Sequence, residues 1–445
     1  MFSTIKNAFK IPDLRKRIFF TLLMLVVFRF GAHVPVPGLS PDAMKAFLGD
    51  GLDLFSMFNV FTGGAFSNAT VMAMGVSPYI NASIIVQLLT VAIPALERLA
   101  KEGAEGRKKI NKITRYLGLV LAFVQGSGLY VTLHNMGVEN PGLNPIQNEG
   151  ILSFFLIVLT FTAGTAFIIW LGELITEKGL GNGVSMIIYA GIVSSIPNGI
   201  LSIYKQFLAP GVISVKGVIL AAAILVVAVL AITLVVLFNT AERKIPVQYA
   251  KRVVGRKMYG GQSTNIPIKV VMGGVMPIIF ASSIMAFPAT IVRLVSGGNL
   301  PTKGIWLHVL GCLSAGLSTK WWTYLVYAVL YFLLIIFFTY FYSSIQFNPI
   351  ELANNMKKSG GYIPGYRPGK PTSDFISKVA SRLNFAGALF LGVIAVLPII
   401  VGAIFGIRGL QIGGTSLLIM EGVALETVQQ IESLMVMRHY KGFLE

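Results

Sequence analysis

Charge is scarce in this chain. Only 12% of its 445 residues are Asp, Glu, Lys or Arg, against about a quarter in soluble domains. Cysteine is scarcer still: Cys312 stands alone, which excludes an intrachain disulfide and a cysteine-rich metal site. The four histidines, His33, His134, His308 and His439, show no His-x-x-x-His or His/carboxylate spacing. The pattern that would hold a catalytic metal is therefore missing. There is no Gly-x-Ser-x-Gly elbow either, so nothing in the sequence points to an enzyme.

What is abundant is apolar. Hydrophobic residues make up 55% of the chain, with a mean hydropathy of +0.75. They arrive in runs of about 20, the length a helix needs to cross a bilayer. Ten spans are expected, at about 18–37, 76–96, 116–136, 151–171, 183–203, 217–238, 270–292, 323–345, 384–405 and 413–436. The first run has a basic lead, but "GAHVPVPG" after it is a poor cleavage site, so it is expected to be a permanent span. Only 12 residues separate Arg408 from Glu421, so the last span is expected to carry Glu421, and with it Glu426, into the membrane.

The net charge of +18 would suit a nucleic-acid binder, but its distribution says otherwise. With the N-terminus in the cytoplasm, the inner segments hold 28 of the 36 Lys and Arg. This asymmetry supports an even number of spans with both termini cytoplasmic. Ten spans divide into an N-terminal half (1–203), an external loop (204–216) and a C-terminal half (217–445). Five spans per half would give related halves opposite orientation, as in inverted-repeat transporters, although no residue-level repeat is evident.

Several stretches interrupt this pattern. "FTGGAFSNATVMAMGVSPYI" (61–80) leads into a span but is small, weakly polar and broken by Gly63, Gly64, Gly75 and Pro78. It reads as an outside loop or a re-entrant segment; breaks at membrane depth require burial or a wet cavity. "EKGLGNGVS" (177–185) resembles a phosphate-cradling loop but joins two spans rather than a strand and a helix, so a tight turn with close helix approach is expected. Among intramembrane ionisable residues, Arg29 and Glu173 lie near span ends and can snorkel. Glu421 lies about 12 Å inside its span and is expected to face a wet interior or a polar neighbour. The loops 239–269 and 346–383 are long, basic and rich in turn-forming Gly and Pro. They read as a docking surface for an anionic partner.

The residues now become recognisable. "VFRFGAHVPVPG" (27–38), "FNVFTGGAFSNATVMAMGVSPYINASIIVQLL" (58–89), "EGRKKINKITRY" (105–116) and "WLGELITEKGLGNGVSMII" (170–188) are followed by "YAKRVVGRKMYGGQSTNIPIKVVMGGVMPIIFASSI" (249–284), "FNPIELANNMKKSGGYIPGYRPGKPT" (347–372) and "GGTSLLI" (413–419). In this order and spacing the chain resembles the SecY family of protein-translocating channels, in its bacterial branch, over essentially its whole length. The resemblance implies an all-α polytopic membrane protein of the bacterial plasma membrane, with ten helices in two inverted five-helix halves around an hourglass pore.

By that resemblance, Val76, Ile80, Val184, Ile188, Ile279 and Ile419 match the aliphatic ring at the waist. The pairs Val76/Ile80 and Val184/Ile188 are each four residues apart and share a helical face, which by itself means only ordinary packing. An apolar constriction can block ions by dewetting without trapping a passing chain. Asn81 and Phe287 match signal-sequence contacts of a lateral gate between the second and seventh spans, with Gln87 and Ser283 as polar members of its seam. About 58–71 matches the plug, a short helix folded back under the ring, including Phe61, Thr62, Gly63, Gly64, Ala65, Phe66, Ser67 and Asn68. Arg256, Lys257 and Arg367 match loop-tip residues that contact the ribosome or the SecA motor.

The implied partners are SecE and SecG, SecA or the ribosome in turn, signal-bearing preprotein chains, and lipid at the gate. The resemblance implies no cofactor and no catalysis by the channel. Two departures stand out: Glu421 where the family usually carries an apolar residue, and Val76 one carbon smaller than the isoleucine expected. Two other classes remain open on composition: a secondary transporter of a small solute, and an RNA-binding membrane scaffold. A transporter needs a polar midplane site; a scaffold would use the basic loops but not the broken spans.

Overall fold

A backbone surrounded by hydrocarbon has only its own amides and carbonyls as partners, so long apolar runs are driven into helices. The computed structural model describes residues 8–49, 59–139, 144–147, 150–204, 215–249, 252–254, 257–259, 263–295, 305–313, 321–405 and 410–441. Its helices are α1 (Pro12–Gly31), α2 (Pro41–Gly49), α3 (Ser77–Ala92), α4 (Pro94–Lys101), α5 (Ala104–Glu139), α6 (Ile151–Lys178) and α7 (Gly183–Ile203). They continue with α8 (Val215–Thr240), α9 (Met276–Val295), α10 (Ile305–Leu313), α11 (Trp321–Gln346), α12 (Pro349–Lys358), α13 (Lys370–Phe405) and α14 (Leu410–Lys441). Five strands interrupt them: β1 (Glu242–Tyr249), β2 (Arg252–Val254), β3 (Lys257–Tyr259), β4 (Ser263–Lys269) and β5 (Gly361–Tyr362).

Among the described residues, six helices are long and apolar enough to cross a membrane, or seven if α3 and α4 form one bent span. The expected span 76–96 is corrected: α3 stops at Ala92, and the chain turns by 100° into α4. Pro94 supplies no amide and holds Ile93 in an extended conformation, which breaks the helix there. The first helix also ends earlier than expected, at Gly31, ahead of Pro35 and Pro37. The span expected from residue 270 starts at Met276, after a turn through Gly274 at φ +57°. Most of the expected external loop, 205–214, lies outside the described residues.

Helices α1, α3, α5, α6 and α7 pack largely on one another, as do α9, α11, α13 and α14. The two sets meet along two lines. On one, α9 lies against α3 and α5; on the other, α14 lies against α7. The largest buried cluster straddles both sets and includes Phe28, Ile84, Ile168, Ile192, Tyr331 and Ile399.

The two long loops fold together. β1 pairs antiparallel with β4, from Glu242 opposite Lys269 to Gln248 opposite Ser263. β5 adds to the same strand through Gln248 opposite Tyr362 and Tyr249 opposite Gly361. The alternating burial of β1 turns Ile245 and Val247 inward, where they meet Ile268, Met356, Ile363 and Ile376. β2 and β3 form a separate hairpin.

Candidate functional site

The residues expected at the waist gather where the two helix sets meet. Val76, Ile188, Ile279 and Ile419 are buried in the main cluster, with Ile80 and Val184 packed against it half-buried. Val76 caps α3, and Val184 lies one residue into α7, whose start is fixed by Asn182. The Asn182 Oδ1 accepts from the amides of Val184 at 3.1 Å and Ser185 at 3.4 Å. This side-chain cap holds the first turn of α7 in place below Ile188.

Between these elements lies a cavity of about 40 Å³, lined by Phe61, Ile80, Asn81, Gln125, Ile188, Ile279, Ser283, Phe287 and Ile419, with Ser77, Ser282 and Ala286. It has room for a water molecule or so, and none for a polypeptide. Four of the six expected ring residues, three of the four expected gate residues and one plug residue thus share one space. Where these residues meet, the structure leaves only that small cavity.

Gln87 is the exception. It lies away from the cavity, its Nε2 3.4 Å from Ser83 Oγ on the same helix, with its Oε1 buried and unpartnered. Gln125 was missed by the sequence reading. It enters the cavity from α5, and the only signal was a polar residue inside an apolar run, followed by Gly126 and Gly128. Ser282 is buried and donates to the Ile279 carbonyl at 2.9 Å, so α9 satisfies it internally.

The plug segment is described from Asn59 onwards; Phe58 lies outside the described residues. One helical turn at 59–61 gives way to turns, because Gly63 (φ +64°), Gly64 (φ +87°) and Ala69 (φ +48°) leave the helical region. Its polar groups close on themselves: Asn59 Oδ1 accepts from the Ser67 amide at 2.9 Å, Ser67 Oγ donates to Gly64 O at 2.9 Å, and Thr70 Oγ1 donates to Ala65 O at 3.0 Å. Asn68 continues the turn through its amide to Gly64 O at 3.3 Å. Ala65 is buried in the main cluster, whereas Phe66 is buried in a second one with Val36, Leu129, Ile157 and Phe161. Thr62 is buried beside Gly75.

Three ionisable groups have polar partners, which for Glu421 is the second of the two placements expected. Arg29 does not snorkel: its Nη1 donates to Gly63 O at 2.8 Å and Ser194 Oγ at 3.0 Å. Glu173 pairs with Arg115 at 2.8 Å, joining α6 to α5. Glu421 is buried, and its Oε2 accepts from Asn239 Nδ2 at 2.9 Å.

The "GNGV" stretch is a tight turn. A side chain at Gly183 would overlap the Gly172 carbonyl oxygen, so glycine allows α6 and α7 to meet. Among the described residues no group of three or more His, Cys, Asp or Glu is disposed to hold a metal.

In the loops, Arg367 is exposed at a turn between Gly365 (φ +88°) and Gly369 (φ +108°). Its carbonyl accepts from Thr372 Oγ1 at 2.8 Å, while Tyr366 stacks on Phe375 at 4.2 Å. Lys257 lies on β3, and Arg256 falls outside the described residues. A larger cleft of about 670 Å³, lined in part by Glu97, Lys101, Arg107, Phe347 and Glu351, opens between α4, the start of α5 and the α11–α12 junction.

A family model described as SecY matches residues 70–428. The protein translocase subunit SecY of Halalkalibacterium halodurans is 46% identical over 448 residues, and those of Streptomyces galbus and Mycobacterium tuberculosis are 44% identical over 451 and 455 residues. Each match covers the whole of both chains. Among solved structures, a protein-conducting channel superposes with a TM-score of 0.65 at 19% identity, covering 96% of each chain. A SecY structure addressing how its plug domain stabilises the closed state gives 0.64 at 20% identity, with the same coverage. A canine channel in complex with the ribosome gives 0.61 at 18%, again covering 96% of each chain. These structures share the fold. Together with the family model and the end-to-end relatives, they establish that the chain belongs to the SecY family.

Proposed function

We propose that this chain is the channel subunit of a protein translocase in the bacterial plasma membrane. It passes unfolded, signal-bearing polypeptides through the waist and releases hydrophobic segments sideways between α3 and α9. The observation that carries this reading is the single small cavity at which aliphatic residues from α3, α7, α9 and α14, a plug residue and the polar seam of α3 and α9 converge. Branched aliphatics seal against ions when apposed and yield to side chains of any kind when pushed apart. Asn81, Gln125 and Ser283 line the seam with polar groups, and interhelical hydrogen bonds by such groups are worth only about 0.6 kcal/mol in membrane helices, so that the seam closes without locking. A segment in the pore then partitions by its transfer free energy: Leu-rich stretches leave into lipid and polar ones continue.

The chain supplies the conduit and no hydrolytic step. Driving force comes from SecA or a translating ribosome, which dock on the basic loops through Arg367 and the β2–β3 hairpin with Arg256 and Lys257. SecE and SecG complete the membrane complex. The topology in this reading is ten spans in two inverted halves (1–203 and 217–445) with both termini cytoplasmic. A solute-transporter reading has less support, because the cavity between the helix sets carries no ionisable residue.

The test is reconstitution with SecE in liposomes, followed by import of a signal-bearing polypeptide on addition of SecA and ATP. Import is expected. Failure to import, accompanied by uptake of a small solute, would overturn the reading.

A further inference from the structure

The guanidinium of Arg29 joins three parts of the chain that are far apart in sequence. It comes from the last turn of α1 and donates to the carbonyl of Gly63 in the plug and to Ser194 Oγ on α7. Around it, α7 is shaped to receive the plug. Ser194 Oγ donates to its own helix at Gly191 O (2.7 Å), which leaves its lone pairs facing Arg29. Ser195 Oγ lies 3.3 Å from the Val60 carbonyl. Gly191, lacking a side chain, lets the Phe61 carbonyl lie against the helix. Gly63 has φ +64°, and a side chain there would collide with both Arg29 and Ser194.

We propose that Arg29 is a clasp that holds the plug in its closed seat. This rests on the channel reading above. An arginine stays charged at any accessible pH and has only donors to offer, so within an apolar span it must be given acceptors. The closed plug provides one as a backbone carbonyl, which no side-chain substitution in the plug removes. When the plug leaves, Gly63 O leaves with it, Ser194 remains, and water entering the outer funnel takes the vacant place. The clasp therefore favours closure without forbidding opening. It also adds what the apolar ring lacks: a directional contact that fixes where the plug returns.

The test uses the complex with SecE in liposomes, with Cys312→Ser and a reporter Ala65→Cys, a position fully buried in the closed seat. Two quantities are read: the rate of labelling by a membrane-impermeant maleimide from the plug side, and the ion leak in the absence of substrate. Loss of one charged hydrogen bond corresponds to about a tenfold shift in the closed equilibrium, so Arg29→Met is expected to raise both by about tenfold. Ser194→Ala removes the acceptor that aims Arg29 Nη1 at Gly63 O and so weakens the bond made only in the closed seat; it is expected to raise both by about threefold, and the double variant no further than Arg29→Met. Wild-type labelling and leak in Arg29→Met overturn the clasp. Should that variant fail to assemble, wild-type behaviour of Ser194→Ala overturns it instead. A wild-type complex that imports no polypeptide overturns the channel reading itself; import combined with indifference to Arg29 overturns the clasp alone.

Discussion

Asn239 Nδ2 donates to Glu421 Oε2 at 2.9 Å, turning the carboxylate of α14 towards α8 although it follows Ile419 by only two residues. The cavity that Ile419 lines does not include Glu421. The carboxylate therefore ties two helices together and does not interrupt the waist.

Glu421→Val is accordingly expected to leave the closed-state ion leak at the wild-type level. It removes the acceptor of the half-buried Asn239 amide, and loss of one such hydrogen bond costs about 0.5–1.5 kcal/mol. Denaturant or thermal unfolding in detergent should show that loss. Asn239→Leu combined with Glu421→Val should recover part of it, since replacing both partners by apolar groups removes the unpaired amide. A raised leak in Glu421→Val would mean that the carboxylate faces the pore.

The ring behaves oppositely. Ile188 is buried and is one of four isoleucines, with Ile80, Ile279 and Ile419, that line the cavity, so Ile188→Asn replaces part of that aliphatic lining with an amide. The closed waist loses about 1–3 kcal/mol relative to a hydrated, open one, a shift of about tenfold or more. Single-channel recording without substrate should show more frequent openings. Ile188→Leu, of equal volume, should not.

Arg367→Glu tests the docking surface. The side chain is exposed, and the hydrogen bond recorded at this residue uses its backbone carbonyl, which the substitution retains. Stability should stay within about 0.5 kcal/mol of wild type. SecA- or ribosome-dependent transport should fall, with a weaker apparent affinity and an altered salt dependence, as expected for a charge at an interface. Parallel loss of stability and transport would make Arg367 structural. Thr372→Val, which removes the donor to that carbonyl, is the contrasting variant: it should loosen the turn and cost about 0.5–1.5 kcal/mol.

Gly183→Ala would drive a methyl group into the Gly172 carbonyl at the α6–α7 junction. Overpacking of this kind costs about 1–3 kcal/mol, measurable as a lower unfolding midpoint. Nucleotide or inorganic phosphate should leave the wild-type midpoint unchanged, because the glycines here serve helix approach.

Periodicity and composition revealed the long helices, since an apolar run of membrane length has few alternatives; among the described residues six of them, or seven with the bent pair, are long and apolar enough to span. Their ends were less legible. Pro94 is plainly a breaker in the sequence, but a 100° bend depends on what α4 packs against. The family pattern supplied the expected ring residues, and the convergence of four of them on one cavity could not be read from four-residue spacing alone. Gln125 was missed because a single glutamine in an apolar run carries no direction. Arg29 was misjudged for a related reason: a cation near a span end usually reaches for water, and its actual partners, Gly63 and Ser194, lie 34 and 165 residues away. Asn239 and Glu421, 182 residues apart, are a pair that one sequence cannot reveal.

β1 carries β4 on one edge and β5 on the other, so the two long loops are joined by backbone hydrogen bonds within one sheet. The strand leads directly from α8, and β5 lies between α12 and α13. A load applied at either loop tip is therefore divided between helices that begin and end in different parts of the bundle. Under the docking proposed for Arg367, the sheet would act as a yoke: a push on either loop would be carried through β1 to α8 and through β5 to α12 and α13.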